Sequence, residues 1–258
     1  MGEPSLHERL RALGLTGAAD GLDDIVALAT KKRWGVAQAL EHIADIEERD
    51  RTRRGLERRL SRSQLGRFKP IVDYDWNWPT KIDRALVEAA AGLHFFGGSR
   101  NVVLVAPQGL GKTMIAQNIA HQAIVAGHSV LFITAAKMLL DLGGQETSRA
   151  LERRLSFYAK QSLLVIDEIG YLAFDSRNAD LLFQVVSRRY ERKSLVLTTN
   201  LAFKEWPTIF PNAACATALI DRVIHHADVI SIEGKSYRLR EAEDAVSAKA
   251  TSKPRLKK

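Results

Sequence analysis

Five short apolar runs, NVVLVA (101–106), SVLFIT (129–134), SLLVID (162–167), SLVLTT (194–199) and DVISI (228–232), are separated by segments long enough to hold a helix. No other feature restricts the fold as strongly. Runs of five or six residues rich in Val, Ile and Leu suit strands buried on both faces, and helix-length spacers between them produce parallel crossovers. The expected class is α/β with a five-stranded parallel sheet. A hydrophobic fraction of 46% beside 26% charged residues supplies the core such a sheet needs and excludes a disordered or collagen-like chain.

The first seventy residues carry no such run. Their apolar residues recur at helical spacing, as Leu6, Leu10 and Leu13, then Leu22, Ile25, Val26 and Leu28, then Val36, Leu40 and Ile43, which predicts a small helical domain over 1–70. The stripe thins to Leu56, Leu60 and Leu65 as the sequence turns basic. Residues 49–69 hold nine cations, including Arg49, Arg53, Arg54, Arg58, Arg59 and Arg62, against only Asp50 and Glu57. Residues 71–234 are neutral and residues 235–258 carry a net +5, so the formal +8 of the chain is two patches beside a neutral middle. The aromatic, proline-punctuated YDWNWP (74–79) ends the helical domain. A second domain is expected over 71–241, and the Ala-, Ser- and Lys-rich residues 242–258 read as a flexible basic tail.

Cys215 is the one cysteine, so no intramolecular disulfide or cysteine-rich zinc site is available, and a cytoplasmic setting is expected. The first ten residues lack the apolar stretch of a signal peptide. The uncharged stretch 113–136 is interrupted by Gln117, Asn118, His121, Gln122, Gly127 and His128, so it reads as helix, turn and strand and no membrane partner is expected.

Directly after the first apolar run comes A-P-Q-G-L-G-K-T (106–113), followed by a helical pattern over 114–126. Strand, glycine loop, Lys-Thr and helix stand in the order of a P-loop. Loop amides and the positive end of the helix dipole face phosphate oxygens in such a loop, and glycines let the backbone approach them. Pro107, Gln108, Gly109, Leu110, Gly111, Lys112, Thr113 and Met114 are therefore the candidate nucleotide-binding residues, with Lys112 on the β- and γ-phosphates and the Thr113 hydroxyl on Mg²⁺. Ala106 stands where the pattern has glycine, which the fold tolerates if the backbone there keeps a negative φ.

The third apolar run leads into Asp167-Glu168. A carboxylate at a strand's C-terminal end beside a P-loop holds the metal, here Asp167, and the next one, Glu168, polarises the attacking water. Thr198, Thr199 and Asn200 close the fourth run at the same sheet edge, where Asn200 either orients that water or is a plain turn residue.

These residues resemble the AAA+ ATPases, and within them the IstB-like helpers of insertion-sequence transposition. The resemblance covers most of the chain: the Arg-rich helix, YDWNWP, the altered P-loop, LLVIDEIGYL (163–172), FQVVSRRYERKSLVLTTNLAFKEW (183–206) and ALIDRVIHHADVISIEGKSYRLRE (218–241). Helicase loaders of the DnaC and DnaI kind share the Asp-Arg and Ser-Tyr-Arg elements. The resemblance implies ATP and Mg²⁺ as cofactors and hydrolysis to ADP and phosphate. It gives Arg222 the role of an arginine finger acting on a neighbouring copy's ATP, and Arg238 that of a second nucleotide sensor. Spacing alone favours a surface arginine paired with an acid such as Asp221 or Glu241 for each, and only the resemblance reverses that preference. Relatives lack a helical lid, and only 18 residues follow Arg240 here. Relatives also carry a DNA-lining insertion at 134–142, which makes Lys137, and with it Arg149, Arg153 and Arg154, candidate DNA contacts; packing of Leu139, Leu140 and Leu142 on the sheet is the simpler account. His225 and His226, as neighbours in sequence, do not share a helix face and read as packing or DNA-proximal residues rather than metal ligands.

Nine cations in 21 residues suit sequence-independent, salt-sensitive binding of duplex DNA, although a solvated face or an acidic protein partner presents the same pattern. The expected partners are duplex DNA, a transposase and further copies of the chain. The alternative is a replicative helicase loader.

Overall fold

The computed structural model describes residues 3–171 and 173–240, so the tail at 242–258 and Glu241 lie outside the described residues. The chain divides into two compact units, Met1–Ser61 and Arg62–Lys258. The first holds α1 (Leu6–Ala12), α2 (Thr16–Asp20), α3 (Leu22–Lys32) and most of the long α4 (Val36–Ser63). α1 begins at a capping box in which Ser5 and Glu8 satisfy each other's backbone N–H groups. Ala18, Ala19, Leu22 and Ile25 form a small core. A Cβ on Gly17 would lie 2.6 Å from Cβ of Asp50, so glycine is what lets α2 approach α4 this closely.

The second unit contains β1 (Asn101–Val105), β2 (Val130–Thr134), β3 (Leu163–Ile169), β4 (Ser194–Thr199) and β5 (Ala227–Ser231). All pair in parallel in the order β2-β3-β4-β1-β5. Around them run α5 (Arg84–Ala91), α6 (Lys112–Val125), α7 (Ala135–Gly143), α8 (Ser148–Lys160), α9 (Ser176–Arg189) and α10 (Ala213–Ile224). The strands fall on the five apolar runs, and β4 is buried at every position, as a strand covered by helices on both faces requires. β3 continues to Ile169, beyond the apolar run, because a bulge carries the pairing from Ile166 across to Ile169. The strand order sets β1 and β3 on either side of β4, so the loops leaving these three strands open side by side at the C-terminal edge of the sheet.

The sequence texture changes at Pro70, yet residues 62–70 belong to the second unit. Hydrogen bonds explain it. Asn118 of α6 accepts from the Ile71 amide and donates to the Lys69 carbonyl, both at 2.9 Å, and Leu65 is buried. The basic stretch is helical only as far as Ser63.

α7 buries Met138, Leu139 and Leu142 but leaves Leu140 79% exposed, so two of the three leucines expected to pack do so. Arg154 is held by Asp141, which also accepts from Tyr158, and is thereby part of the packing of α8 on α7. Arg189 is wholly buried and donates to the carbonyls of Tyr158, Ala159, Gln161, Ser162 and Ser194, tying the end of α9 to the end of α8 and the start of β4. Burial brings its guanidinium down to about 9, and the five carbonyls replace lost water. Among the described residues no helix is long and apolar enough to cross a membrane.

Candidate active site

A cavity of about 650 Å³ opens at the edge where β1, β3 and β4 end. Gln108 to Met114 line one wall, and Glu168, Thr198, Asn200 and Arg238 the others. Gln108, Gly109, Leu110, Gly111, Lys112, Thr113 and Met114 are thus brought to one place with Glu168, Asn200 and Arg238. Pro107 does not line the cavity; its carbonyl accepts from Lys112 Nζ at 2.8 Å, as that of Ala106 does at 2.6 Å. Ala106 is not among the residues with positive φ, its side chain is buried, and its amide continues the β1–β4 pairing by donating to Thr199. Alanine fits because the turn leaves β1 without left-handed backbone.

α6 starts at Gly111 with no side-chain cap, so the amides of its first turn stay available beside the cavity. Gly109 and Gly111 have φ of +79° and +82°. A Cβ on Gly111 would lie 2.5 Å from Cε2 of Tyr74, whose hydroxyl donates to the Leu110 carbonyl at 3.0 Å. Burial raises the Tyr74 phenol to about 12, so it stays a neutral donor. Gly111→Ala therefore strains the backbone and pushes on the ring together; nucleotide affinity is expected to fall at least about tenfold, which titration with a fluorescent ATP analogue measures.

The metal-side residues are ordered by one hydroxyl. Thr198 Oγ1 donates to the Asp167 carboxylate and accepts the Glu168 amide at 2.9 Å. Asp167 is buried and accepts from Thr113 Oγ1 at 3.1 and 3.2 Å, so it adjoins the cavity through Thr113 without lining it. Glu168, at the bulge, has φ of +63°, which is uncommon for a residue with a side chain, and its carboxylate is exposed into the cavity. A threonine hydroxyl with two adjacent carboxylates is a hard oxygen set that fits Mg²⁺. Burial lowers the Lys112 ammonium, Asp167 and Glu168 raise it, and Arg238 lowers it further. Two cations facing one cavity suit a polyphosphate.

Sequence reasoning missed five residues here. In the sequence Thr198 is only a polar residue at the sheet edge, and YDWNWP only a link. Tyr74 and Trp78 in fact line the cavity, Trp78 Nε1 donates to the Lys235 carbonyl at 2.7 Å, and Tyr237 donates its amide to Gly109 at 2.9 Å. Lys69, counted with the basic helix, also lines the cavity. For Tyr74 and Trp78, the three aromatic residues within YDWNWP (74–79) were the available signal.

Arg222 lies elsewhere. It stands in the last turn of α10 with its guanidinium 4.4 Å from the Phe183 ring, outside the cavity. Among the candidate DNA contacts, Arg49 pairs with Asp45, Arg53 with Asp50 and Glu57, and Arg54 with Glu47 and Asp50. Arg58 and Arg62 have no ion pair among the described residues, and Arg59 is half-buried on the same helix. Lys137 is exposed on α7 and donates to Gln64 at 3.1 Å, one residue past the end of α4.

The fold is similar to the structure of DnaI, with TM-score 0.53 and 18% identity over 66% of this chain and 93% of that one. It is also similar to the replication initiator DnaA bound to AMPPCP and single-stranded DNA, with TM-score 0.51 and 14% identity over 68% of this chain and 56% of that one. At such identities the likeness is one of fold, an AAA+-like α/β domain. Sequence relatives reach further. A protein named for ATP binding in insertion sequence IS21 of Pseudomonas aeruginosa is 36% identical over 224 residues, 87% of this chain and 84% of its own length. One from IS5376 of Geobacillus stearothermophilus is 32% identical over 92% of this chain and 94% of its own length. The family described as IstB-like ATP binding protein matches residues 8–245, which takes in the helical unit, the glycine loop, the carboxylate pair and both arginines, and the chain belongs to that family.

Proposed function

We propose that this protein binds ATP with Mg²⁺ in the cavity, hydrolyses it in an active site completed by Arg222 of a neighbouring copy, and assembles on duplex DNA to assist a transposase in target-site selection and strand-transfer activation. The observation that carries this reading is the convergence of glycine loop, Thr113–Asp167 pair, Glu168, Asn200 and Arg238 on one cavity while Arg222 lies outside it. Lys112 and Arg238 hold the phosphates as charges, and the uncapped amides of α6 add backbone donors. Thr113 and Asp167 would hold a Mg²⁺, which when bound would offset phosphate charge. Glu168 accepts the proton of the attacking water, and Asn200 orients that water. Insertion-sequence names among the relatives favour transposition over helicase loading, since the likeness to DnaI is one of fold.

If neighbouring copies complete each site, hydrolysis per subunit rises with protein concentration and again on adding duplex DNA. Steady-state phosphate release across a dilution series reads this directly, and flat specific activity under both changes rejects the proposal.

The ion pairs within α4 sharpen the DNA prediction. Arginines already neutralised by Asp45, Glu47, Asp50 and Glu57 release fewer counterions on meeting phosphate than Arg58 and Arg62 do. Replacing Arg58 and Arg62 by Ala is expected to reduce the slope of log affinity against log salt by about 2, with nucleotide affinity unchanged. Fluorescence anisotropy with a labelled duplex at several salt concentrations measures the slope; an unchanged slope moves the DNA contact away from this helix.

A further inference from the structure

Outside the nucleotide cavity, two adjacent histidines and a glutamate converge. α10 ends at Ile224, His225 caps it with φ −49° and ψ −41°, and His226 has already left the helix. Helix-face geometry therefore does not keep their rings apart: the centroids lie 4.0 Å from one another. Glu191, in the turn between α9 and β4, faces both. Its Oε1 is 3.4 Å from His226 Nε2 and 3.9 Å from His225 Nδ1, and one ligand atom of each residue lies within 4.8 Å of the other two. The geometry points to a binding site for a borderline divalent transition metal of the Zn²⁺ class, formed by Glu191, His225 and His226.

Three features support that assignment. Two imidazole nitrogens and one carboxylate oxygen are the donor set this class of ion takes, with bonds of about 2.0–2.2 Å. Such bonds set ligand atoms about 3.3–3.6 Å apart in tetrahedral geometry; the gaps of 3.4 and 3.9 Å from Glu191 need shifts of a few tenths of an ångström, and the two imidazole nitrogens, within 4.8 Å, come together by side-chain rotation about the exposed rings. The backbones are also fixed in advance. Glu191 has φ of +56° in a turn where the Arg192 and Lys193 amides both donate to the Arg189 carbonyl, and Arg189 is anchored by its buried guanidinium. The His226 carbonyl accepts the Asn101 amide at 2.8 Å, which ties that residue to the start of β1. Pre-placed ligands of this kind lose little order on binding. The nearby Arg188 is occupied by both oxygens of Glu152. The Tyr190 hydroxyl, 2.6 Å from His225 Nδ1, is the group a metal ion replaces at that nitrogen, leaving the fourth position open to water.

The site differs in donors from the Thr113–Asp167 pair and is independent of the nucleotide reading. It lies three and four residues beyond Arg222, at the end of the same helix.

The full chain, stripped with chelator and titrated with Co²⁺, tests it. One equivalent is expected to produce the visible d–d bands of a tetrahedral or five-coordinate N/O site, and Zn²⁺ is expected to bleach them. His226→Ala and Glu191→Gln should each weaken Co²⁺ binding at least about tenfold, whereas His128→Ala, whose ring stacks on Phe96, should leave it unchanged. Wild-type melting temperature should rise by several degrees at saturating Zn²⁺ and the rise should vanish in both variants. Both substituted side chains are about half exposed, so circular dichroism is expected to show unaltered folds. Absence of the bands in the wild type, or bands unaffected by both substitutions, overturns the assignment.

Discussion

Replacing Arg222 by Ala is expected to lower ATP hydrolysis by roughly three to five orders of magnitude while leaving nucleotide affinity of the separate subunit unchanged. The physical reason is the position of the guanidinium. It rests on the Phe183 ring 4.4 Å away, on the last turn of α10, and contributes nothing to the wall of its own cavity. Arg238 is the arginine its own cavity holds, so in the proposed reading Arg222 serves the ATP of another copy. Mixing gives the decisive measurement. Arg222→Ala subunits keep an intact cavity and Lys112→Ala subunits keep an intact finger, so each is inactive alone and the mixture recovers part of the activity. Phosphate release that stays at background in the mixture, with both variants shown to assemble, would falsify action between copies.

Glu168→Gln is expected to reduce hydrolysis about 10²–10⁴-fold with ATP binding retained. The amide keeps the size of the side chain and its place beside the cavity but does not accept the proton of water. Little else should change, because the left-handed backbone at Glu168 is held by the Thr198 hydroxyl and by the strand pairing that resumes at Ile169, neither of which involves the carboxylate. ATP-dependent assemblies on DNA should therefore live longer in this variant. Single-turnover hydrolysis and dissociation from a labelled duplex measure the two effects. A variant hydrolysing at the wild-type rate assigns the water to another group.

The strands were legible because burial on both faces leaves a continuous apolar run, a signal that survives without knowledge of neighbours. The glycine loop was legible for a related reason. Its function needs particular residue types at contiguous positions, so Gly109, Gly111, Lys112 and Thr113 stand together in the sequence. Thr198 was harder to read. A threonine at the end of a buried run is ordinary, and only the β3–β4 register brings its hydroxyl between the Asp167 carboxylate and the Glu168 amide. The aromatic link was misjudged in the same way: proline and tryptophan announce a boundary, but not that Tyr74 packs on Gly111 or that Trp78 meets Lys235.

Charge shows the same division. Counting cations over 49–69 located the basic patch, but it treated arginines at i+3 and i+4 from acids as equal to those without them, and it placed Lys69 with the helix. The structure ends the helix at Ser63 and turns Lys69 to the nucleotide cavity. Adjacency in sequence sets His225 and His226 apart only on a continuing helix, and the helix stops just before them.

By itself, then, the sequence determined the sheet, the phosphate loop, the acidic pair and the basic stretch, all properties carried by neighbouring residues or by local periodicity. Only the tertiary structure decided which side chains share a cavity, that Arg222 stays out of it, and that Glu191 meets two histidines more than thirty residues away. Those relations depend on strand order and on where each helix ends, and packing of the whole chain fixes both.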